Sequence, residues 1–337
     1  MILVTGGAGF IGANFVLDWI AETGEAVVNL DKLTYAGDLR NLDSLSGDPR
    51  HLFVRGDICD RALLDTLLTA HRPRAIVHLA AETHVDQSIA NPVTFTRTNV
   101  DGTLTLLEAA RTYWSSLGTA AENFRFLQVS TDEVYGSLGA TDAPFVESSP
   151  YAPNNPYAAT KAAADHLVRA YHHTYGLPTL ITHCSNNFGP FQFPEKFVPL
   201  IINHALTGKP IPIYGDGLHV RDWLYVGDHC LALRAVLSHG RVGATYNLGA
   251  RNEMTNLDLV NSLCAVLDEL KPRPDGRRYG DQIRFVTDRP GHDRRYGLNP
   301  GKAEAELHWR PVECFTANLR QTVKWYVDHE TAKGKSS

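Results

Sequence analysis

The 337-residue sequence predicts an α/β protein: a doubly wound parallel sheet followed by a smaller C-terminal α/β part. Three observations predict it. Short apolar runs alternate with helix-length amphipathic stretches through the first half, as crossover units building a parallel sheet require. A glycine-rich segment joins the first run to the first helical stretch. Past Ser185, Pro190, Pro194, Pro199, Pro210 and Pro212 crowd together and the elements become shorter.

In chain order, buried strands are expected at 2–5, 26–30, 52–55, 75–79, 124–130 and 179–184. Helical pattern spans 11–22, 93–112 and 157–175, then returns at 226–237, at 257–270 with Thr255 as N-cap, and at 315–329. Residues 333–337 read as a frayed tail. The expected division is 1–184 for the sheet unit and 185–330 mainly for the smaller unit, with the chain crossing between them.

Bulk properties exclude several classes. A formal net charge of −5 without blocks of like charge does not suit a nucleic-acid surface. The five cysteines are odd in number, widely spaced and free of C-x-x-C, which argues against a disulfide framework or zinc site and for a reducing cytoplasm. The chain opens directly into Ile2-Leu3-Val4-Thr5, and no run reaches a membrane span, so a soluble cytoplasmic protein is expected.

Gly6-Gly7-Ala8-Gly9-Phe10-Ile11-Gly12 follows the first strand and opens the first helix, the context of a Rossmann-like dinucleotide fingerprint. Gly6 permits the tight turn, Gly9 lets the backbone approach a pyrophosphate, and Gly12 allows close packing. Asp31 closes the second strand at about the ~20-residue offset of a ribose-binding acid. Its carboxylate accepts from both ribose hydroxyls and repels a 2′-phosphate, favouring NAD over NADP; Arg40 is the nearest dissenting charge. Asp57-Ile58 suits either an adenine edge or, through Asp57, the cap of a helix beginning near Asp60.

Tyr157 and Lys161 lie four residues apart, so on a helix both project from one face. A nearby ammonium is expected to lower the phenol toward the range of a general base. Thr131-Asp132-Glu133, at the end of the fifth strand, adds two carboxyl groups that simple alcohol oxidation does not need. Were the strand still extended there, Asp132 and Glu133 would point oppositely. His78, at a strand end, reads as a hydrogen-bonded core residue and His172-His173 as an exposed helix face; no metal is assigned.

Longer motifs carry a resemblance over nearly the whole chain. They are Asp31-Lys32-Leu33-Thr34-Tyr35-Ala36-Gly37, His78-Leu79-Ala80-Ala81-Glu82 with His84-Val85-Asp86, Ser130-Thr131-Asp132-Glu133-Val134-Tyr135-Gly136 and Ser185-Asn186-Asn187. Pro194-Glu195-Lys196, Tyr214-Gly215-Asp216-Gly217, Val220-Arg221-Asp222-Trp223 and the run from Arg289 to Tyr296 follow. With these the sequence resembles the dTDP-glucose 4,6-dehydratase family of the extended short-chain dehydrogenase/reductase superfamily. Related epimerases typically carry small or hydroxyl residues where this chain has two carboxylates.

The resemblance implies an NAD-dependent lyase acting on dTDP-glucose and assembled as a homodimer through the helices at 93–112 and 157–175. It implies that Tyr157, aided by Thr131 and Lys161, takes the C4 hydroxyl proton, that Glu133 removes the C5 proton, and that Asp132 protonates the departing C6 hydroxyl. Cofactor contacts extend by resemblance to Phe10, Ile11, Lys32, Thr34, Asp57, Ile58, Ala80, Ala81 and Thr98. Substrate contacts extend to Thr83, Asn186, Glu195, Lys196, Pro212, Tyr214, Arg221, Asn256, Arg289 and His292. Arg221, Arg289 and Lys196 suit a diphosphate, and Tyr214 beside Pro212 suits a flat base. Departures are Thr83 for the usual Ser, Gln87 for Arg, and Phe188 and Phe191 for Tyr, the last two expected near the sugar pocket. Rival readings are another nucleotide-sugar epimerase, a decarboxylase, GDP-mannose 4,6-dehydratase, or a non-catalytic NAD-sensing regulator.

Overall fold

The computed structural model describes residues 1–288, 291–312 and 314–333. Strand β1 (Ile2–Thr5) is fully buried; Ile2 and Val4 join one apolar cluster and Leu3 another, as alternation across a pleated strand dictates. Helix α1 (Phe10–Thr23) follows and stops at Gly24, whose φ of 67° lets its N–H reach the Ile20 carbonyl. The first half continues as β2 (Val27–Asp31), β3 (His51–Arg55), α2 (Arg61–His71), β4 (Ala75–His78), α3 (Val85–Ala90), α4 (Pro92–Phe95), α5 (Thr103–Ser115), β5 (Arg125–Thr131), α6 (Pro156–Tyr175) and β6 (Thr179–Cys184). Observed boundaries fall within a few residues of those expected, and Leu79 lies just beyond its strand.

The helix expected over 93–112 is not regular. Between α4 and α5 the backbone widens into a π-helical stretch, Thr96–Gly102. Buried Asn99 in that stretch accepts from Glu82 N and donates to Glu82 O and Thr160 Oγ1, joining the loop after β4 to α6.

The second half contains β7 (Asn186–Phe188), α7 (Phe197–Leu206), β8 (Ile211–Tyr214), β9 (Val220–Tyr225), α8 (Val226–His239), β10 (Thr245–Leu248), β11 (Glu253–Thr255), α9 (Asn256–Leu270), β12 (Ile283–Val286), α10 (Gly301–Leu307) and α11 (Phe315–Lys333). Thr255 caps α9 by accepting from Asp258 N at 3.0 Å. Strand β10, absent from the sequence expectation, returns to the main sheet beside β6. The seven strands run β10-β6-β5-β4-β1-β2-β3, all parallel, with the order reversing between β1 and β4. Separate small sheets, β11-β9-β7 and β12-β8, accompany a third apolar cluster built on α7, α9 and α11 around Trp223. Among the described residues no helix is long and apolar enough to cross a membrane.

His78 is a core residue, as its position suggests: it is 2% exposed and bonded to the Thr5 and Thr103 hydroxyls at 2.7 and 3.0 Å. Burial pushes His78 and His229 down to about 3 from an ordinary 6.5. Both stay neutral in the fold while the unfolded chain takes up protons, so stability present above pH 6.5 is lost as pH falls toward 3. The slope is about 1.4 kcal/mol per pH unit per imidazole. Calorimetric melting temperatures should therefore fall across that window, and less steeply for His229→Gln; an unchanged slope would put the acid sensitivity on the carboxylates.

Candidate active site

A groove of about 1570 Å³, mouth included, opens at the carboxyl ends of β1 and β4, where the strand order reverses. Gly6 (φ 76°) and Gly12 shape it: a Cβ on Gly6 would lie 2.6 Å from Ala80 N, and one on Gly12 2.1 Å from Gly6 O. Helix α1 begins there without a side-chain cap, leaving first-turn N–H groups for an anion. Gly6, Gly9, Phe10, Ile11, Gly12, Asp31, Lys32, Thr34, Asp57, Ile58, Ala80, Ala81, Thr98, Tyr157 and Lys161 all line this groove.

Asp31 is held in place by Ala8 N on one oxygen at 2.9 Å and Leu33 N on the other at 2.8 Å. Arg40, the dissenting charge, is tied to Asp38 at 2.6 Å and does not line the groove. Lys32 pairs with Asp57 at 2.7 Å. Asp57 is not the cap of α2; Asp60 is, accepting from Leu63 N. The glycine turn, uncapped helix end and ribose-side carboxylate fit a dinucleotide.

At the other end of the groove β5 stops at Thr131, and the chain enters a 3₁₀ turn, Asp132–Tyr135. The Thr131 hydroxyl starts that turn by accepting from Glu133 N at 3.3 Å. Asp132 and Glu133 therefore do not alternate across an extended strand. Asp132 is 2% exposed and among the described residues its Oδ2 meets no donor, whereas Glu133 is half-buried, with Asn155 Nδ2 3.4 Å from its Oε2. Burial, reinforced by the Glu133 and Asp222 charges, pushes the Asp132 carboxyl well above its usual range.

Tyr157 and Lys161 share one buried face of α6, which Asn155 caps and Pro156 starts. The lowered phenol expected from their spacing is not found. Burial and the Glu133 charge hold Tyr157 well above its ordinary value, with the hydrogen bond from Thr131 opposing them. Lys161 Nζ instead donates to Val129 O at 2.9 Å, and burial lowers its own pKa against the pull of Asp165.

The expected substrate residues divide in two. Thr83, Asn186 and Lys196 line the groove, with Lys196 Nζ bonded to Thr83 O at 2.8 Å. Glu195 lies outside it, 3.6 Å from His84. Pro212, Tyr214, Arg221, Asn256 and His292 form a second group around β8 and β9: Tyr214 meets His292 edge-on, and Asn256 N donates to His219 O. Arg221 sits between the groups, its charge acting on both Asp132 and His219 while its guanidinium bonds Val220 O and Asp293 O. Arg289 lies outside the described residues.

Phe188 and Phe191, expected near the sugar pocket, do not line the groove. Phe188 is 1% exposed in the third cluster against Tyr225 and Phe315, and Phe191 packs on Trp325. Gln87 is exposed on α3. The sequence reading missed Glu82, Cys184, Gln192 and Phe193, which also line the groove. Glu82 and Cys184 end motifs or strands that were recognised, so position alone could have flagged them. Among the described residues His219, Asp288 and His292 have ligand atoms within 4.8 Å of one another. Asp288 bridges the two rings at 3.2 and 2.7 Å, and they stack at 3.7 Å, so hydrogen bonding accounts for the triad without an ion.

A family profile described as GDP-mannose 4,6 dehydratase matches residues 3–322. The dTDP-glucose 4,6-dehydratase of Xanthomonas campestris pv. campestris (strain B100) is 58% identical over 98% of this chain and 93% of that protein. That of Neisseria meningitidis serogroup B is 55% identical over 98% and 94%. Among solved structures, DesIV from Streptomyces venezuelae, a dTDP-glucose 4,6-dehydratase with NAD and TYD bound, superposes with a TM-score of 0.88 at 46% identity, covering 98% of each chain. With this identity sustained from end to end, the chain belongs to the dTDP-glucose 4,6-dehydratase family.

Proposed function

We propose that the protein is an NAD-dependent hydro-lyase converting dTDP-glucose to dTDP-4-keto-6-deoxyglucose and water. One observation carries the reading: a buried Asp132, whose carboxyl is held above its usual range, and a groove-facing Glu133 stand beside the Tyr157/Lys161 pair in a dinucleotide-shaped groove. When bound there, NAD would supply the acceptor for a hydride from C4 and the later hydride donor to C6. Tyr157 takes the C4 hydroxyl proton, with Thr131 hydrogen-bonded to the phenol to stabilise its ionised form. The resulting C4 ketone acidifies the C5 hydrogen. Glu133 removes that proton, and Asp132 gives its own to the departing C6 oxygen, so one water leaves and a C5–C6 double bond forms. Glu133 then returns the proton to C5. The two adjacent carboxyls divide the acid and base roles because ionising both in one dry cleft is opposed.

Thr83, Asn186 and Lys196 hold the sugar side, while Tyr214, Arg221, Asn256, Arg289 and His292 hold the nucleotide. The division at 184/185 separates cofactor from substrate halves in this reading. A homodimer is part of it, supported by apolar side chains exposed along α3 to α6, with Val93 74%, Ile89 44% and Tyr175 47% exposed. A cytoplasmic location fits the free cysteines.

The test is incubation of purified protein with dTDP-glucose deuterated at C4, without added cofactor, followed by mass analysis. Loss of one water with deuterium recovered at C6 is expected. An intact substrate, or one merely inverted at C4, would overturn the reading in favour of an epimerase or a cofactor-sensing protein. GDP-mannose run in parallel separates the rival dehydratase.

A further inference from the structure

Beneath the catalytic turn lies a polar cluster that the proposed chemistry does not use. His183 on β6 and Asp165 on α6 are 0% and 1% exposed, with His183 Nε2 3.1 Å from Asp165 Oδ2. Hydrogen-bond accounting favours a proton on each ring nitrogen. Asn247 Nδ2 donates to Phe145 O at 3.1 Å, so its Oδ1 faces the Tyr135 hydroxyl at 2.9 Å and His183 Nδ1 at 3.3 Å. Tyr135 is itself 2.8 Å from His183 Nδ1 and has one proton to give. A bare Nδ1 would face the Asn247 oxygen lone pair to lone pair. A proton on Nδ1 lets the ring donate to Tyr135 while Tyr135 donates to Asn247.

The other nitrogen repeats the argument. Nε2 faces the Asp165 carboxylate and, at 2.8 Å, the Tyr151 hydroxyl, which is 3.4 Å from the same Asp165 oxygen. With Nε2 protonated, the ring donates to the carboxylate and Tyr151 is free to donate to it as well. Ser130 Oγ adds a bond to that oxygen at 2.7 Å, and Gln128 Nε2 reaches the other at 3.5 Å.

We infer that His183 is a buried imidazolium paired with Asp165, and that this pair positions the catalytic turn and Lys161. The inference rests on the reaction proposed above only for its functional half. Three connections run outward from the pair. Ser130 immediately precedes Thr131; Tyr135 closes the turn that carries Asp132 and Glu133; and Asp165 stands one helical turn beyond Lys161, where its negative charge opposes the loss of the buried ammonium. Other charged or titratable groups around the cluster, among the described residues, include Glu147 and Asp132, which act on Tyr135, Arg169, which acts on Tyr151, and His166, whose ring lies 5.0 Å from that of Tyr151.

Long-range proton–nitrogen correlation on ¹⁵N-histidine-labelled resting protein tests the protonation directly, with the His183 signals assigned by their loss in His183→Gln. Both ring nitrogens should show the imidazolium pattern in the resting protein. A neutral-ring pattern, including one with the proton on Asp165, overturns the inference whatever the protein's activity. Kinetics tests the positioning role. Asp165→Asn should slow nicotinamide reduction roughly thirtyfold, leave the KM for the nucleotide sugar nearly unchanged, and move to lower pH the alkaline limb of the nicotinamide-reduction step alone, where Lys161 loses its proton, a limb separate from the alkaline fall in elimination that Asp132 sets. Asp165→Glu should restore part of the rate. An unmoved alkaline limb removes Lys161 from the argument. Should Asp165→Asn not fold, Tyr151→Phe, which deletes one donor to Asp165, should still alter the His183 ring signals; unaltered signals would overturn the assigned bonding.

Discussion

Replacing Glu133 with Gln is expected to stop the reaction after oxidation, lowering turnover about a thousandfold while reduced nicotinamide accumulates on the protein. The glutamine keeps the shape and the contact from Asn155 but cannot take a proton from C5. Oxidation at C4 should be spared, and the electrostatics give the sign. The Glu133 charge raises the Tyr157 phenol, so deleting it brings that phenol closer to ionisation and the first step proceeds at least as fast as in the parent. Rapid mixing with dTDP-glucose, followed at the absorbance of reduced nicotinamide, reads the first step, and mass analysis reads water loss. A variant that reduces cofactor and still releases water at the parental rate removes Glu133 from its role.

The first half of the fold was legible because its signals are local. The glycines at 6, 9 and 12 report a backbone that must turn and approach other backbone closely, and the apolar runs report strands buried on both faces. Asp31 could be placed for the same reason, at the end of a strand whose partner had already been identified. Strand β10 was not legible: Thr245–Leu248 is four residues long and becomes a strand only because β6 offers it an open edge. The 3₁₀ turn at Asp132 depends on the Thr131 side chain reaching forward to Glu133 N, a bond that apolar periodicity does not record. Spacing correctly put Tyr157 and Lys161 on one face, but it could not show that Lys161 would spend its ammonium on Val129 O, which leaves burial to set the phenol. Residues such as Tyr214, Arg221 and His292 gather from three separate segments, so their grouping exists only in the folded chain.

Asp132→Asn should lower turnover by a similar factor, about a thousandfold, yet stall the reaction at a different bond. The amide fills the same buried space but has no acidic proton for the departing C6 oxygen. Glu133 remains, so the C5 proton is still removed and returned. In deuterated water the Asp132→Asn enzyme should exchange C5 of the oxidised sugar without losing water, whereas Glu133→Gln should do neither. The pH dependence separates them again. Asp132 must be protonated, and its carboxyl is held high by burial and by Glu133, so the parental elimination rate falls as pH rises through that raised value. Tyr157 must ionise, so the oxidation rate rises over the same direction. The parent is therefore limited by oxidation on the acid side and by elimination on the alkaline side. Asp132→Asn, having no group to deprotonate, should lose the alkaline fall in elimination rate. Retention of that fall, or water loss at the parental rate, would mean that another group protonates the leaving oxygen.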